Sequence, residues 1–165
     1  MRSLQPRGEW TAHGRFERRD AQAPLERSLD IEVHRGAIQY TGFQYPLAGI
    51  RGSLRMRGDQ WDIVELTGTN DSAYVVARGG WNADANGSVD CRLDCEATDV
   101  PLAEELKNAL TPAGQRLWSS IQPRGTLDYL TVGIRHPRGA PRWSVEVFGQ
   151  KRPTTQSGDG RYITI

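Results

Sequence analysis

The sequence predicts a mainly β protein, an antiparallel up-and-down meander of about seven strands over Gly8–Ala97 that leads into a short helical pair. Three observations carry this expectation. Apolar and polar residues alternate with period two in run after run, the pattern of half-buried strands. Short turn signals separate the runs, and connections of that length join neighbouring antiparallel strands. One segment, at about 100–121, breaks the rhythm with helical spacing.

Taken in order, Trp10, Ala12, Gly14 and Phe16 alternate with polar or charged residues. Leu29, Ile31 and Val33 alternate with Asp30 and Glu32, and Ile50, Gly52, Leu54 and Met56 with Arg51, Ser53, Arg55 and Arg57. Strict alternation then puts Trp61, Ile63 and Glu65 on one face and Val64 and Leu66 on the other. Val75, Ala77 and Gly79 lead to Trp81, and Val89, Cys91, Leu93 and Cys95 alternate with Asp90, Arg92 and Asp94. Arg57-Gly58-Asp59, Gly68-Thr69-Asn70-Asp71 and the stretch from Asn82 to Gly87 read as turns. In the helical segment Leu102, Leu106 and Ala109/Leu110 share a side. Asp99 is a candidate cap, Pro101 suits a first turn, and Glu104-Glu105 complement a helix N-terminus. Thr111-Pro112 repeats the cap-then-proline logic for a second helix, which should stop before Pro123.

A phrase occurs twice. Ser3-Leu4-Gln5-Pro6-Arg7-Gly8 returns as Ser120-Ile121-Gln122-Pro123-Arg124-Gly125, 117 positions later with five of six residues identical. Arg18 and Arg135, and Ala23-Pro24 and Ala140-Pro141, match at the same offset. Asp30-Ile31-Glu32-Val33 then matches Ser144-Val145-Glu146-Val147. Such recurrence marks stacked units that bury their faces against neighbours. The expected division is a first unit at 1–119, ending in the helical pair, and the opening strands of a second at 120–165, in a chain cut from something longer.

Composition narrows the function classes. Hydrophobic residues make up 37%, which suits a thin, half-exposed sheet better than a compact globule. Arginine outnumbers lysine 19 to two, yet 20 acids hold net charge at +1, so no basic surplus points to nucleic acid. No apolar run approaches the roughly 20 residues that span a bilayer, and no signal peptide is visible. Cys91 and Cys95 lie four residues apart in an alternating strand, about 13 Å, too far for a disulfide or a shared metal. They read as free, small apolar residues on one face. His13, His34 and His136 fall on separate strands and read as surface residues. No nucleophile elbow, phosphate loop or zinc helix motif occurs, so no catalytic residue, metal or cofactor is expected and the chain does not read as an enzyme. The Arg-Gly dipeptides are expected at strand starts and turns, and the five tryptophans at strand ends or in a core, with a carbohydrate-binding face as the rival.

The repeat phrase, Phe43-Gln44-Tyr45-Pro46-Leu47, Leu66-Thr67-Gly68-Thr69-Asn70-Asp71 and Val100-Pro101-Leu102-Ala103-Glu104-Glu105-Leu106 occur in order. Together they resemble a repeat of the large bacterial envelope proteins of the AsmA-like class, which includes the TamB-like proteins, over nearly the whole chain. That resemblance implies a sheet curled into an open, taco-like groove with an apolar concave face. It implies phospholipid acyl chains as ligand, neighbouring units of the same chain as partners, and membrane contact only through parts of the parent lying outside this chain. It places the parent in the cell envelope or periplasm, in intermembrane lipid transport or outer-membrane biogenesis. The candidate groove residues are Leu29, Ile31, Val33, Leu54, Met56, Val75, Ala77, Val89, Cys91, Leu93, Val145 and Val147. Alternation alone fits two other outcomes equally. One is a closed sandwich or barrel, binding carbohydrate or protein, in which these side chains fill a core. The other is an interaction module that joins other chains through its open edges.

Overall fold

The computed structural model describes residues 7–40, 43–84, 87–151 and 163–164. Among them, strands β1 (Arg7–Glu17), β2 (Glu26–Tyr40), β3 (Phe43–Arg57), β4 (Gln60–Asn70), β5 (Ala73–Ala83) and β6 (Val89–Pro101) run in sequence. Helices α1 (Glu104–Ala109) and α2 (Pro112–Ile121) follow, then β7 (Thr126–His136), β8 (Ser144–Gln150) and the two-residue β9 (Ile163–Thr164). All the strands form one antiparallel sheet in chain order, β1 to β9, without closure. This is the expected mainly β meander, curled into an open groove. The closed sandwich or barrel is overturned, because the described residues form a single sheet and no second layer covers it.

Among the described residues six strands, rather than about seven, precede the helices. The stretch between the runs at Leu29–Val33 and Ile50–Met56 makes no strand of its own. It lengthens β2 and β3 to 15 residues each.

Among the register irregularities of the sheet, two decide which face the residues beyond them occupy. Glu9 pairs with Arg35 but Trp10 with Val33, so β2 carries an extra residue at His34. Ser53 pairs with Glu65 but Leu54 with Ile63, so β4 carries one at Val64. Each bulge bends its strand and reverses the alternation beyond it. Hence Leu66 joins Ile63 on the apolar face, opposite Gly52 and Ala77, and not the reverse face that strict alternation assigns it. Glu65 instead bonds Arg78 on the polar face. Gly52 faces the β4 bulge with φ 135, and a Cβ there would lie 2.0 Å from the Glu65 carbonyl oxygen. Only glycine allows that approach. Arg35-Gly36 and Arg51-Gly52 thus lie inside strands at bulges, whereas Arg57-Gly58 makes the β3–β4 turn as expected.

The helical pair spans the connection between two adjacent antiparallel strands, β6 and β7, and is not a crossover. Its base is tied by a bond from the Leu102 N–H to the Gly125 carbonyl, 2.9 Å. Thr111 caps α2, its hydroxyl accepting from the Gly114 N–H at 3.3 Å, and Pro112 opens the first turn. Asp99 does not cap α1. It sits at φ 54 within β6, its carbonyl accepts from the Ser72 hydroxyl, and Ala103 occupies the cap position.

Of the repeated phrase, Ser3–Pro6 lies outside the described residues, as do Arg161, Tyr162 and Ile165. Both matched opening segments are 11-residue strands, β1 and β7. Their hairpins differ in register: Ile31 sits opposite Ala12, whereas its match Val145 sits opposite Ile134.

Candidate functional site

Residues paired across antiparallel strands project to the same face. The register therefore assembles one face row by row. Its middle row runs Ala12, Ile31, Leu54, Ile63, Gly79, Leu93, Ile134, Val145. The row beside it runs Trp10, Val33, Gly52, Leu66, Ala77, Cys95, Val132, Val147. On the other side come Gly14, Leu29, Met56, Trp61, Trp81, Cys91 and His136. Val75 follows Ala77 on this face opposite Ala97, and Val89 follows Cys91 opposite Ala83. All twelve candidate groove residues thus lie on one face, eight strands wide.

Several members were left out of that candidate set. Leu130, Val132 and Ile134 alternate in β7 as plainly as the runs before them, and Trp61 and Ile63 stood in a recognised run. Leu66 carried no such signal, since the β4 bulge that turns it inward leaves no mark in the polarity pattern.

Among the described residues, helical cover lies over one end of this face. Leu106 of α1 packs with Ala73, Ala97 and Val100, and Tyr45, Val75, Leu102, Trp118, Leu127 and Leu130 surround them. Elsewhere the face lies open. Leu29, Ile31, Leu54, Leu93 and Val147 are only half-buried. Towards either side of the sheet, Trp10 on β1 is 64% and Val145 on β8 59% exposed.

The end away from the helices is aromatic. Trp61 and Trp81 stack with centroids 5.6 Å apart and planes 5° apart. His136 lies 4.5 Å from Trp143 and its Nδ1 is 2.9 Å from the Val89 carbonyl oxygen. His136 is thereby half-buried, not the surface residue expected, while His13 and His34 are exposed. Trp10 and Trp143 are exposed and fill no core, whereas Trp118 of α2 packs against the buried cluster. Cys91 and Cys95 are free. Burial pushes both thiols up, helped by Asp90 beside the first, against a smaller opposing effect of Arg135, and by Asp94 beside the second.

The reverse face is polar. Asp30 meets Arg57 and Arg55 at 3.0 and 3.7 Å, and Arg92 meets Asp94 at 3.2 Å. The hydrogen bond from Arg135 holds the Asp94 carboxyl below its ordinary range. Near the β1–β2 turn, Arg15, Arg27 and Arg57 line a depression with Leu25, and each is ion-paired, with Glu17, Asp59 and Asp30. Among the described residues no group of three or more His, Cys, Asp or Glu could hold a metal ion, and no helix is long and apolar enough to cross a membrane. No family model, curated protein or solved structure matches this chain.

Proposed function

We propose that the chain is a segment of a bacterial envelope protein of the AsmA-like type, in which the open apolar face holds lipid acyl chains. The parent's role would be intermembrane lipid transport or outer-membrane biogenesis, in the envelope or periplasm. One observation carries this reading: an apolar face eight strands wide over which, among the described residues, α1 and α2 pack at one end and leave the middle row half-buried. Exposed apolar areas beyond a few hundred Å² mark binding surfaces.

The dimensions suit an acyl chain. Eight strands spaced about 4.8 Å apart give a trough roughly 34 Å long. One lipid tail spans about 15 Å, half the ~30 Å hydrocarbon core of a bilayer. Each methylene removed from water contributes about 0.8 kcal/mol, so a tail is held without placed polar groups. The middle row offers none, being alanine, isoleucine, leucine, glycine and valine. A polar metabolite would need donors and acceptors at fixed points.

Leu93 lies mid-trough between Gly79 and Ile134. Native mass spectrometry after incubation with phosphatidylethanolamine and phosphatidylglycerol should show bound lipid for the unmodified chain. Leu93→Asp should lose most of it while keeping the far-ultraviolet β spectrum. An unmodified chain that binds neither phospholipid nor an apolar dye overturns the reading.

A further inference from the structure

We infer that a phospholipid lies across the trough with its tails along the strands. The tail ends meet the helix-covered cluster, and the phosphate sits beside Trp61, Trp81, His136, Trp143 and Arg138. The inference rests on the proposed lipid reading and adds the direction in which the lipid lies.

The two long sides of the trough differ in chemistry. On the helix side, Leu106 of α1 and Val100 of β6 are buried at 7% and 1% exposure, with Tyr45 and Val75 packed around them. So closed a cluster receives a methyl end, because a headgroup losing its water there would be costly. On the far side one row runs Met56, Trp61, Trp81, Cys91 and His136 from β3 to β7, and Trp143 lies 4.5 Å from His136. Trp61, Trp81 and His136 are half-buried, and Trp143 is 55% exposed. An indole joins an apolar body to one N–H donor, which suits it to the boundary between lipid tail and water. A cation lies just beyond the row. Arg138, in the β7–β8 turn, donates to the Asn82 side-chain oxygen at 2.5 Å. That acceptor is neutral, so the contact holds the guanidinium without cancelling its charge, and guanidinium is a strong donor to phosphate.

Distance favours the same direction. From Trp81 to Val75 there are six residues of β5, about 20 Å of extended strand. A tail of about 15 Å fits that length and leaves the glycerol and phosphate level with the indoles. On the way it passes Gly79 and Ala77, between Ile63 and Leu66 on β4 and Leu93 and Cys95 on β6. A tail laid along the middle row instead would hold its headgroup over Ile31, Leu54, Leu93 or Ile134, where no side chain donates.

The indole N–H signals of the isotope-labelled full chain test the direction. They are assigned with Trp61→Phe, Trp81→Phe, Trp118→Phe and Trp143→Phe. Phosphatidylcholine carrying a nitroxide on its headgroup should broaden Trp61, Trp81 and Trp143 more than Trp118. A nitroxide near the methyl end of the tail should reverse that order. Arg138→Gln should weaken phosphatidylcholine binding about tenfold, the effect of losing one charge-assisted hydrogen bond, and leave dodecanol binding unchanged. Three results overturn the direction while lipid binding stands: equal or inverted broadening at the two sides, unchanged phosphatidylcholine affinity in Arg138→Gln, or equal loss of phospholipid and alcohol. No broadening by either nitroxide removes the lipid reading and the inference with it.

Discussion

The helix-covered end and the middle of the apolar face are built from the same kind of residue yet do different work. Where α1 packs on the sheet, its Leu106 and the sheet's Ala73, Ala97 and Val100 are buried, Val100 at 1% exposure. Along the middle row, Ile31, Leu54 and Leu93 sit on the same face with nothing packed over them but their own neighbours. What separates core from trough is therefore the helical pair that reaches back over one end of the sheet. A side chain under the helices is tied to stability, and one beyond them to binding.

The largest expected effect breaks the covered end. Val100→Asp leaves a carboxylate buried without a partner and should cost about 3–5 kcal/mol. Leu106→Ala, which opens a cavity at the centre of the same cluster, should cost about 2–5 kcal/mol. Leu93→Asp, uncovered, should cost only about 1 kcal/mol. Urea denaturation of the three variants measures these differences. Equal losses at positions 93 and 100 would show that the whole face is one core and end the comparison.

A somewhat smaller effect concerns the bend between those two regions. Gly52 holds φ 135 against the Glu65 carbonyl, whereas Gly58 sits at φ 61 in a turn with nothing within 4 Å of an added Cβ. Gly52→Ala should cost about 1–3 kcal/mol through strain and should also distort the trough, lowering lipid uptake. Gly58→Ala should cost about 1–2 kcal/mol, from the left-handed backbone alone, and leave uptake intact. Loss of uptake in both variants would detach the bulge from the shape of the groove.

These contrasts also mark what could be read from the residues alone. The alternation at Leu29–Val33, Ile50–Met56 and Val89–Cys95 gave strands and faces correctly, because each run stays on one side of a bulge. The turn at Gly58-Asp59 and the Thr111-Pro112 helix start were legible because local chemistry alone decides them. The bulges at His34 and Val64 were not. An extra residue costs no polarity signal, so counting by twos sent Leu66 to the wrong face and set Glu65 inside. Asp99 misled in another way: a good capping residue was taken up by the end of β6, which kept its pairing with β7 as far as Pro101. The choice between open and closed sheet was equally hidden, since it rests on whether β1 meets a last strand, a contact across the whole chain.

The smallest effect sharpens the comparison from inside the trough, where the two thiols report on cover. Cys91 is buried against Trp81 and His136, and Cys95 is half-buried between Ala77 and Val132. Burial raises both thiols, so each holds less thiolate at neutral pH than a free cysteine and should react slowly with iodoacetamide. Because folding raises these values, the neutral thiols favour the native state fully below the unfolded pKa. That contribution is lost as pH rises through the folded pKa, so alkylation should accelerate, and stability fall slightly, on the alkaline side. Their separation of about 13 Å along β6 forbids a bridge, and intact mass under non-reducing conditions should show two free thiols. An acyl chain in the trough should slow modification of Cys95 further and leave Cys91, already covered, unchanged. Alkylation of Cys95 at the rate of the unfolded chain, indifferent to added phospholipid, would mean that no tail lies along this part of the face.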